Sequence, residues 1–365
     1  MKLHPIEFLK AHPLRRRTLV FLIVNGALAL LALICLLVCL SLRGKLLSQR
    51  AAERFAGDSE LSFAQLSAFM SEDDTLTLGN IYTFRQALLD RMTEASVEAP
   101  EGGRLYIDAW SAFGKTNVAG DHGNADVNVV AVGGDWFFFH PLRVKTGSYI
   151  WEDDVMDDRV VLDRDLAWRL FGGDDLTGLT VSIGGQPFVI AGVVERDTDF
   201  ASNAARAEGN ILYMSYTAWN RLSEDAEKPI DCYELVMPQP VKGFADSFVK
   251  EKFPLGGGET VNNSSRFSMS GIWSVVREFG KRSMHRSSVI FPEWENAARC
   301  LGDWCGLFLA LAGLFVVSPA VSAFIALMVG LIRMKDHLAK TVPVFVSDAV
   351  DRARAKRWEE LHKED

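Results

Sequence analysis

Gly114-Lys115-Thr116 has the residue types that close a phosphate-binding loop, in which backbone N–H groups cradle phosphate and the lysine reaches it. The opening glycine has no counterpart, because Ala109 stands five positions before Gly114. Lys145-Thr146-Gly147 and Ser247-Phe248-Val249-Lys250 match two elements of penicillin-binding acyl enzymes, but in reversed chain order. Glu152, Asp153, Asp154, Asp157 and Asp158 would attract calcium, yet they lack the alternation and central glycine of a calcium loop and read as a solvated acidic turn. His122, His140 and His285 stand alone, without zinc-ligand spacing. Five cysteines are too few and too scattered for a disulfide framework; Cys300 and Cys305, five apart on an expected helix, face different sides. The expectation is a protein with no catalytic, cofactor-binding or metal residues.

What remains to explain is the patterning around these residues. Thr18 to Leu42 and Gly306 to Ile332 contain no charged residue, and each is long enough to cross the roughly 30 Å hydrocarbon layer as a helix. They raise the hydrophobic content to 48% and the mean hydropathy to slightly above zero. The first run is too long for a signal-peptide core and exits into Arg43-Gly44-Lys45 without a cleavage site. Formal charge is +4 over residues 1–17, -13 over 43–305 and +1 over 333–365. The positive-inside rule then favours both termini in the cytoplasm and the acidic middle outside, in a cell membrane. An acidic exterior and a basic cytoplasmic margin give no reason to expect nucleic-acid binding.

Beyond the first span, Leu46, Leu47, Ala51 and Phe55 keep a helical stripe that predicts a stalk ended by Gly57. Leu61 to Met70 and Leu78 to Met92 are further expected helices. The period changes from Leu105. Short strands are expected at Leu105 to Ile107, Val127 to Val132, Val160 to Leu162, Val181 to Ile183, Phe188 to Val194, Ile211 to Met214 and Tyr233 to Met237. Helices are expected after Asp163, which is placed as an N-cap with Gly172-Gly173 as the stop, and near Thr217 to Leu222 and Val241 to Phe253. Gly184-Gly185-Gln186-Pro187 predicts a hairpin turn of positive φ. Trp136-Phe137-Phe138-Phe139 fits a core strand or a contact surface, and bulky apolar residues are usually buried.

Leu255 to Gly258 and Asn262 to Ser265 are expected as loop, and Phe291-Pro292-Glu293-Trp294 should lead a helix into the second span. There Ser318, Ser322, Ala326 and Gly330 recur every four residues, a small-residue face suited to helix packing in lipid, and Pro319 should kink the helix. After Arg333, Val344 to Val350 and a charged helix from Asp351 carrying Trp358 and Leu361 fit docking on a cytoplasmic protein, contact with the membrane surface, or an inert tail. The fold expected is an α+β extracytoplasmic domain with mixed sheets, held between two transmembrane helices with stalk-like extensions. In residue ranges, 1–17 is a cytoplasmic segment, 18–42 a span, 43–104 a stalk and helical region, and 105–254 the α+β core. Loop and return stalk take 255–305, the second span 306–332 and a cytoplasmic tail 333–365.

Lys145-Thr146-Gly147, Val160-Val161-Leu162, Ala167 through Leu170-Phe171-Gly172, Gly178, Val181 to Ile183, and Phe188 through Gly192-Val193 form a connected series. With it, residues from about Leu105 to Phe253 resemble the MacB-like extracytoplasmic core domain of FtsX/MacB-type ABC transporter permeases. Gly147, Leu170, Phe171, Gly172, Gly178, Phe188, Gly192 and Val193 are the positions that carry the resemblance. It implies a structural motif at these residues and transmission of ATPase motion to an external domain. Permeases of that family carry four spans, so two spans imply an ABC ATPase and a fuller permease as partners in a hetero-oligomer, with any ATP hydrolysed by the partner. The alternative is a non-transporting sensor or scaffold that regulates a cell-envelope enzyme.

Overall fold

A computed structural model describes residues 16–44, 46–99, 103–222, 227–279, 289 and 291–361. The basic stretch through Arg15, His285 and the tail past Leu361 lie outside them, as do the side chains of Val344, Phe345, Val346, Trp358 and Leu361. Helix α1 is Arg16–Arg43. A single 3-10 turn, Leu47–Arg50, and α2 (Ala51–Ala56) follow, and Gly57 ends α2 at φ +50°. The segment expected as a stalk is therefore broken: Ala51 and Ala52 are buried under the sheet, which a free-standing helix would not require.

Next come β1 (Phe63–Phe69) and α3 (Leu78–Glu94). Leu61 to Met70, expected as helix, is thus largely strand. It pairs with two neighbours, and that ladder outweighs the helix propensity of Ala, Gln and Leu. Thr77 and Asn80 form a capping box at the start of α3, and Ile81, Phe84, Leu88 and Met92 bury one face at helical spacing. The chain then forms β2 (Ile107–Gly120), β3 (Gly123–Gly134), α4 (Trp136–Phe139) and β4 (Arg143–Gly147). Trp136 to Phe139 is a single helical turn, not a strand, with Trp136, Phe137 and Phe139 buried.

The patterned segment follows as β5 (Arg159–Asp163), α5 (Arg164–Phe171), β6 (Thr180–Ile183) and β7 (Gln186–Glu195). Asp163 Oδ1 accepts the Leu166 N–H at 2.7 Å, and Gly172 closes α5 at φ +78°. Gly184 and Gly185 both have positive φ, as a type I′ hairpin turn demands. After α6 (Phe200–Ala205), β8 (Asn210–Ser215), α7 (Tyr216–Arg221), β9 (Cys232–Pro238) and α8 (Phe244–Lys252), Leu255 to Gly258 is loop as expected, whereas the stretch Asn262 to Ser265, also expected as loop, belongs to β10 (Glu259–Asn262) and α9 (Asn263–Arg266). Asn262 caps α9 through its side chain, so its polarity marks a helix start rather than a loop. Helix α10 is Met269–Glu278, and α11 runs from Glu293 to Leu361, unbroken through Pro319.

Ten strands make one sheet in the order β10-β1-β9-β2-β3-β8-β5-β7-β4, with β6 bridging β2 and β7. The β3–β8 and β5–β7 pairs are parallel and the others antiparallel, so the sheet is mixed. Because β6 joins the end of β2 to β7, strands β2, β3, β8, β5, β7 and β6 close into a ring. Alternation sorts the core: Val127, Val129, Val160, Leu162, Leu212 and Met214 face one side with Leu166 and Leu170 of α5. Val130, Val132, Val161, Ile211 and Tyr213 face the other, under α4. Strands outside 105–254, β1 and β10, extend the same sheet, so the sheet is wider than the resemblance alone suggested.

The described chain divides into two compact units, one within Cys39–Leu307 and a helical one of residues 16–38 and 308–361. In the helical unit Asn25 accepts from the hydroxyls of Ser318 at 3.0 Å and Ser322 at 3.3 Å. Ala326 is exposed, and a Cβ on Gly330 would meet nothing within 4 Å.

Candidate functional site

The patterned segment converges into a packing unit. Leu170, Phe188 and Val193 lie in one core cluster, with Phe171 half-buried against it. Gly147 and Gly192 face each other across β4 and β7. Gly147 has φ +73°, and a Cβ there would sit 2.1 Å from the Ala191 carbonyl oxygen. Gly178, at φ +87°, donates its N–H to Ile190 at 2.9 Å, while its own Cβ position is open. Asp163 caps α5 and also accepts the Ile211 N–H at 2.7 Å through Oδ2. Burial raises its pKa, against the two N–H bonds and Arg196. These residues hold shape and present no reactive group.

The chemistry-bearing stretches are absorbed by structure. Gly114 to Thr116 lie within β2, and the Trp219 ring covers Gly114. Lys145 pairs with Glu195 at 3.4 Å, while Ser247 and Lys250 are exposed on α8. Of the acidic turn, Asp154 pairs with Arg159, Asp157 with Arg221, and Glu152 lies 3.9 Å from Arg85. Among the described residues, no group of three or more His, Cys, Asp or Glu comes together at metal-binding distance.

A cluster of buried charge lies at the start of α11, at a place the sequence did not single out. Glu295, 1% exposed, accepts two bonds from Arg266 Nη2 at 2.7 Å and one from Arg299 Nε at 2.8 Å. Arg299 also donates to Glu259 of β10 at 2.8 Å and lies 3.7 Å over the Phe291 ring. Two residues earlier, Glu293 accepts from Arg196 Nη2 at 2.6 and 2.9 Å and from the Ala207 N–H at 3.0 Å. Arg196 in turn donates to the carbonyls of Gly209 and Ala207 at 3.1 and 3.3 Å. Both glutamates sit in the first turn of α11, where a helix N-terminus favours negative charge.

Between them the Trp294 ring packs at a tilt of 44° on His140, centroids 4.3 Å apart, with Trp136 and Phe113 at 5.6 and 5.8 Å. His140 Nε2 pairs with the buried Glu234, which accepts from Ser67 at 3.1 Å; Ser67 accepts from Asn263 at 2.7 Å. The serine bonds the carboxylate and not the imidazole, so this is a structural chain linking α4, β9, β1 and α9 rather than a nucleophile and its base. On the other connection, Gln65 of β1 accepts the Ala51 N–H at 2.9 Å and donates to the Ser48 carbonyl at 2.6 Å. Arg54 reaches the carbonyls of Leu47 and Phe138. The arrangement fastens both chain connections of the domain to its sheet. Only the Glu295–Arg299 pair, four apart on one helix, has a spacing that reveals it in sequence.

Residues 50–236 match the family described as MacB-like periplasmic core domain. Over 105 residues the chain is 34% identical to the macrolide export ATP-binding/permease protein MacB of Chromobacterium violaceum, covering 27% of this chain and 16% of that protein. It is 31% identical over 130 residues to the protein of the same name from Campylobacter jejuni, covering 33% and 20%. The matches thus span a fifth or less of these relatives' length. The crystal structure of the periplasmic region of MacB from Actinobacillus actinomycetemcomitans aligns with TM-score 0.41 at 15% identity, covering 60% of this chain and 93% of that one. The extracellular domain of the transporter YknZ from Gram-positive bacteria aligns with TM-score 0.36 at 14% identity, covering 52% and 92%.

Proposed function

This chain belongs to the MacB-like periplasmic core domain family, and we propose that it is a membrane-anchored subunit of an FtsX/MacB-like ABC transporter complex. It is a membrane protein with an extracytoplasmic domain, and two helices of the described residues are long and apolar enough to span a bilayer. In this reading both termini are cytoplasmic and residues 43–305 are outside, as the charge partition favours. An ABC ATPase and a fuller permease are the partners. The ATPase does the hydrolysis, and this chain passes motion to its external domain. Ala326 and Gly330 offer the small-residue surface on which a partner helix would pack.

The observation that carries the reading is the buried ionic joint at the start of α11. A chain that served only to tether a domain would need no such joint, since a flexible connection suffices. Purification of the tagged full chain in mild detergent tests it: an ABC ATPase and a multi-span permease should co-purify in fixed proportion, and a solitary chain would refute it. The sensor or scaffold reading is separated by removing the domain. Lost efflux with the ATPase still assembled supports transport, whereas unregulated envelope hydrolysis supports scaffolding.

A further inference from the structure

Cys39 lies one turn before the end of α1, and Cys305 lies in α11. Both are buried, the second completely. The Cys305 thiol donates to the Cys39 carbonyl at 3.8 Å across 266 positions of chain. Neither is bonded. The other cysteines sit differently. Cys35 packs against Ala32 and Ala312, Cys232 is within β9 beside Phe69, and Cys300 is half-buried. Beside Cys305, a Cβ on Gly306 would meet Val275 at 3.3 Å, so α11 is held closely at this level.

We propose that Cys39 and Cys305 are a disulfide pair that staples the end of α1 to α11 when the extracytoplasmic face is oxidising. The inference rests on the exterior placement of the domain. Extracytoplasmic compartments sustain disulfides, and a bond that closes so long a loop restricts the unfolded chain strongly. The oxidant is a disulfide of the thiol–disulfide oxidoreductase class. A Cys305 thiolate attacks one oxidant sulfur and expels the other as thiolate, giving a mixed disulfide. The Cys39 thiolate then attacks the Cys305 sulfur and expels the second oxidant thiolate. Two cysteine thiols are oxidised, one oxidant disulfide is reduced to two thiols, and the two protons pass to the expelled thiolates. Burial disfavours attack on the finished fold, so the bond forms as the two helices come together during folding.

The full chain is taken from cells, acid-quenched, unfolded and alkylated, then digested for mass spectrometry. A linked peptide pair containing Cys39 and Cys305 is expected, with an intact chain lighter by two hydrogens than after reduction and with Cys232 alkylated. In Cys39→Ser the link disappears and Cys305 becomes alkylated. A Cys39–Cys300 link overturns the pairing. Full alkylation of Cys39 and Cys305, even after membranes are treated with oxidised glutathione, overturns the staple. A chain with its own cysteines changed to serine and carrying Asp153→Cys is labelled in parallel on intact spheroplasts with an impermeant maleimide. Labelling at position 153 with no native link means the staple is wrong and the exterior placement stands. No labelling removes the placement and the staple together.

Discussion

Replacing Glu295 with glutamine tests whether the joint is held by buried charge. The carboxylate is 1% exposed, and its partners Arg266 and Arg299 are 10% and 16% exposed at the side chain. Arg299 keeps Glu259 at 2.8 Å and the Phe291 ring after the change, so the stranded cation is Arg266. Removing one member of a buried pair costs about 3–5 kcal/mol, and a glutamine oxygen that still accepts one bond puts this change near the lower figure, about 3 kcal/mol. At about 2–4 °C per kcal/mol for a domain of this size, Tm should fall by about 6–12 °C. Glu293→Gln supplies the internal comparison. Glu293 is 31% exposed, so water replaces part of what is lost and the cost is about 1–2 kcal/mol. Differential scanning fluorimetry of the full chain in detergent reads the two Tm values. Hydrogen exchange should quicken in α9 and the first turn of α11 while the ring around α5 stays protected. Arg266→Met combined with Glu295→Leu should recover most of the loss, because it removes the stranded charge along with its partner. Equal Tm shifts for the two single variants, or a shift under about 2 °C for Glu295→Gln, would refute the reasoning.

Asp231 gives a pH dependence of known sign. Burial pushes its pKa up to about 6, against the Phe113 N–H bond at 2.6 Å, so the folded state holds this proton more tightly than the unfolded chain. Its contribution to stability is present below the ordinary carboxylate range, is lost as pH rises through about 6, and is flat above. Asp231→Asn keeps an oxygen for Phe113 and should raise Tm at pH ~7.5 by the equivalent of about 1–3 kcal/mol, with the gain vanishing near pH ~4, as thermal melts at the two pH values will show. Gly147→Ala combines positive φ with a 2.1 Å approach to the Ala191 oxygen and should cost more than about 3 kcal/mol, whereas Gly178→Ala meets open space and should cost only about 1–2 kcal/mol of backbone strain; urea melts of the pair measure the difference. Asn25→Ala removes the acceptor of Ser318 and Ser322 and should weaken association of the two apolar helices by about 0.6–2 kcal/mol, read as reduced cross-linking between them.

Legibility in the sequence followed the range of the signal. Helix α5 was readable because Asp163, the apolar spacing behind it and Gly172 all lie within ten residues, and the β6–β7 turn because two adjacent glycines specify it. Strand β1 was not. Its residues are buried on both faces between β9 and β10, so the period-2 pattern that marks a half-exposed strand is absent, and Ala, Gln and Leu read as helix. The same cause hid the joint. Glu295 meets Arg266 from 29 positions away and Glu293 meets Arg196 from 97, and nothing local marks either arginine. Leu46 to Phe55 misled in the opposite sense: the stripe is real, but Ala51 and Ala52 spend it on the sheet instead of extending α1.

The two glutamates also decide what kind of movement the joint permits. At 3.6 residues per turn, positions two apart project about 200° from one another, nearly opposite sides of the helix. Glu293 is held by the segment joining β7 to β8, and Glu295 by α9 and, through Arg299, by β10. A single anchor would let α11 turn about its own axis, and apolar contacts alone would let it slip along the rings around Trp294. Opposed carboxylates resist both, because each accepts from two separate donor groups, Glu293 from Arg196 and the Ala207 N–H and Glu295 from Arg266 and Arg299. Among the described residues the connection from α1 is held by Gln65, by the Arg54 bonds to carbonyls and by buried alanines, without a comparable pair. A rotation or axial displacement imposed on the first turn of α11 would therefore act on the β7–β8 connection and on the edge strand β10 together.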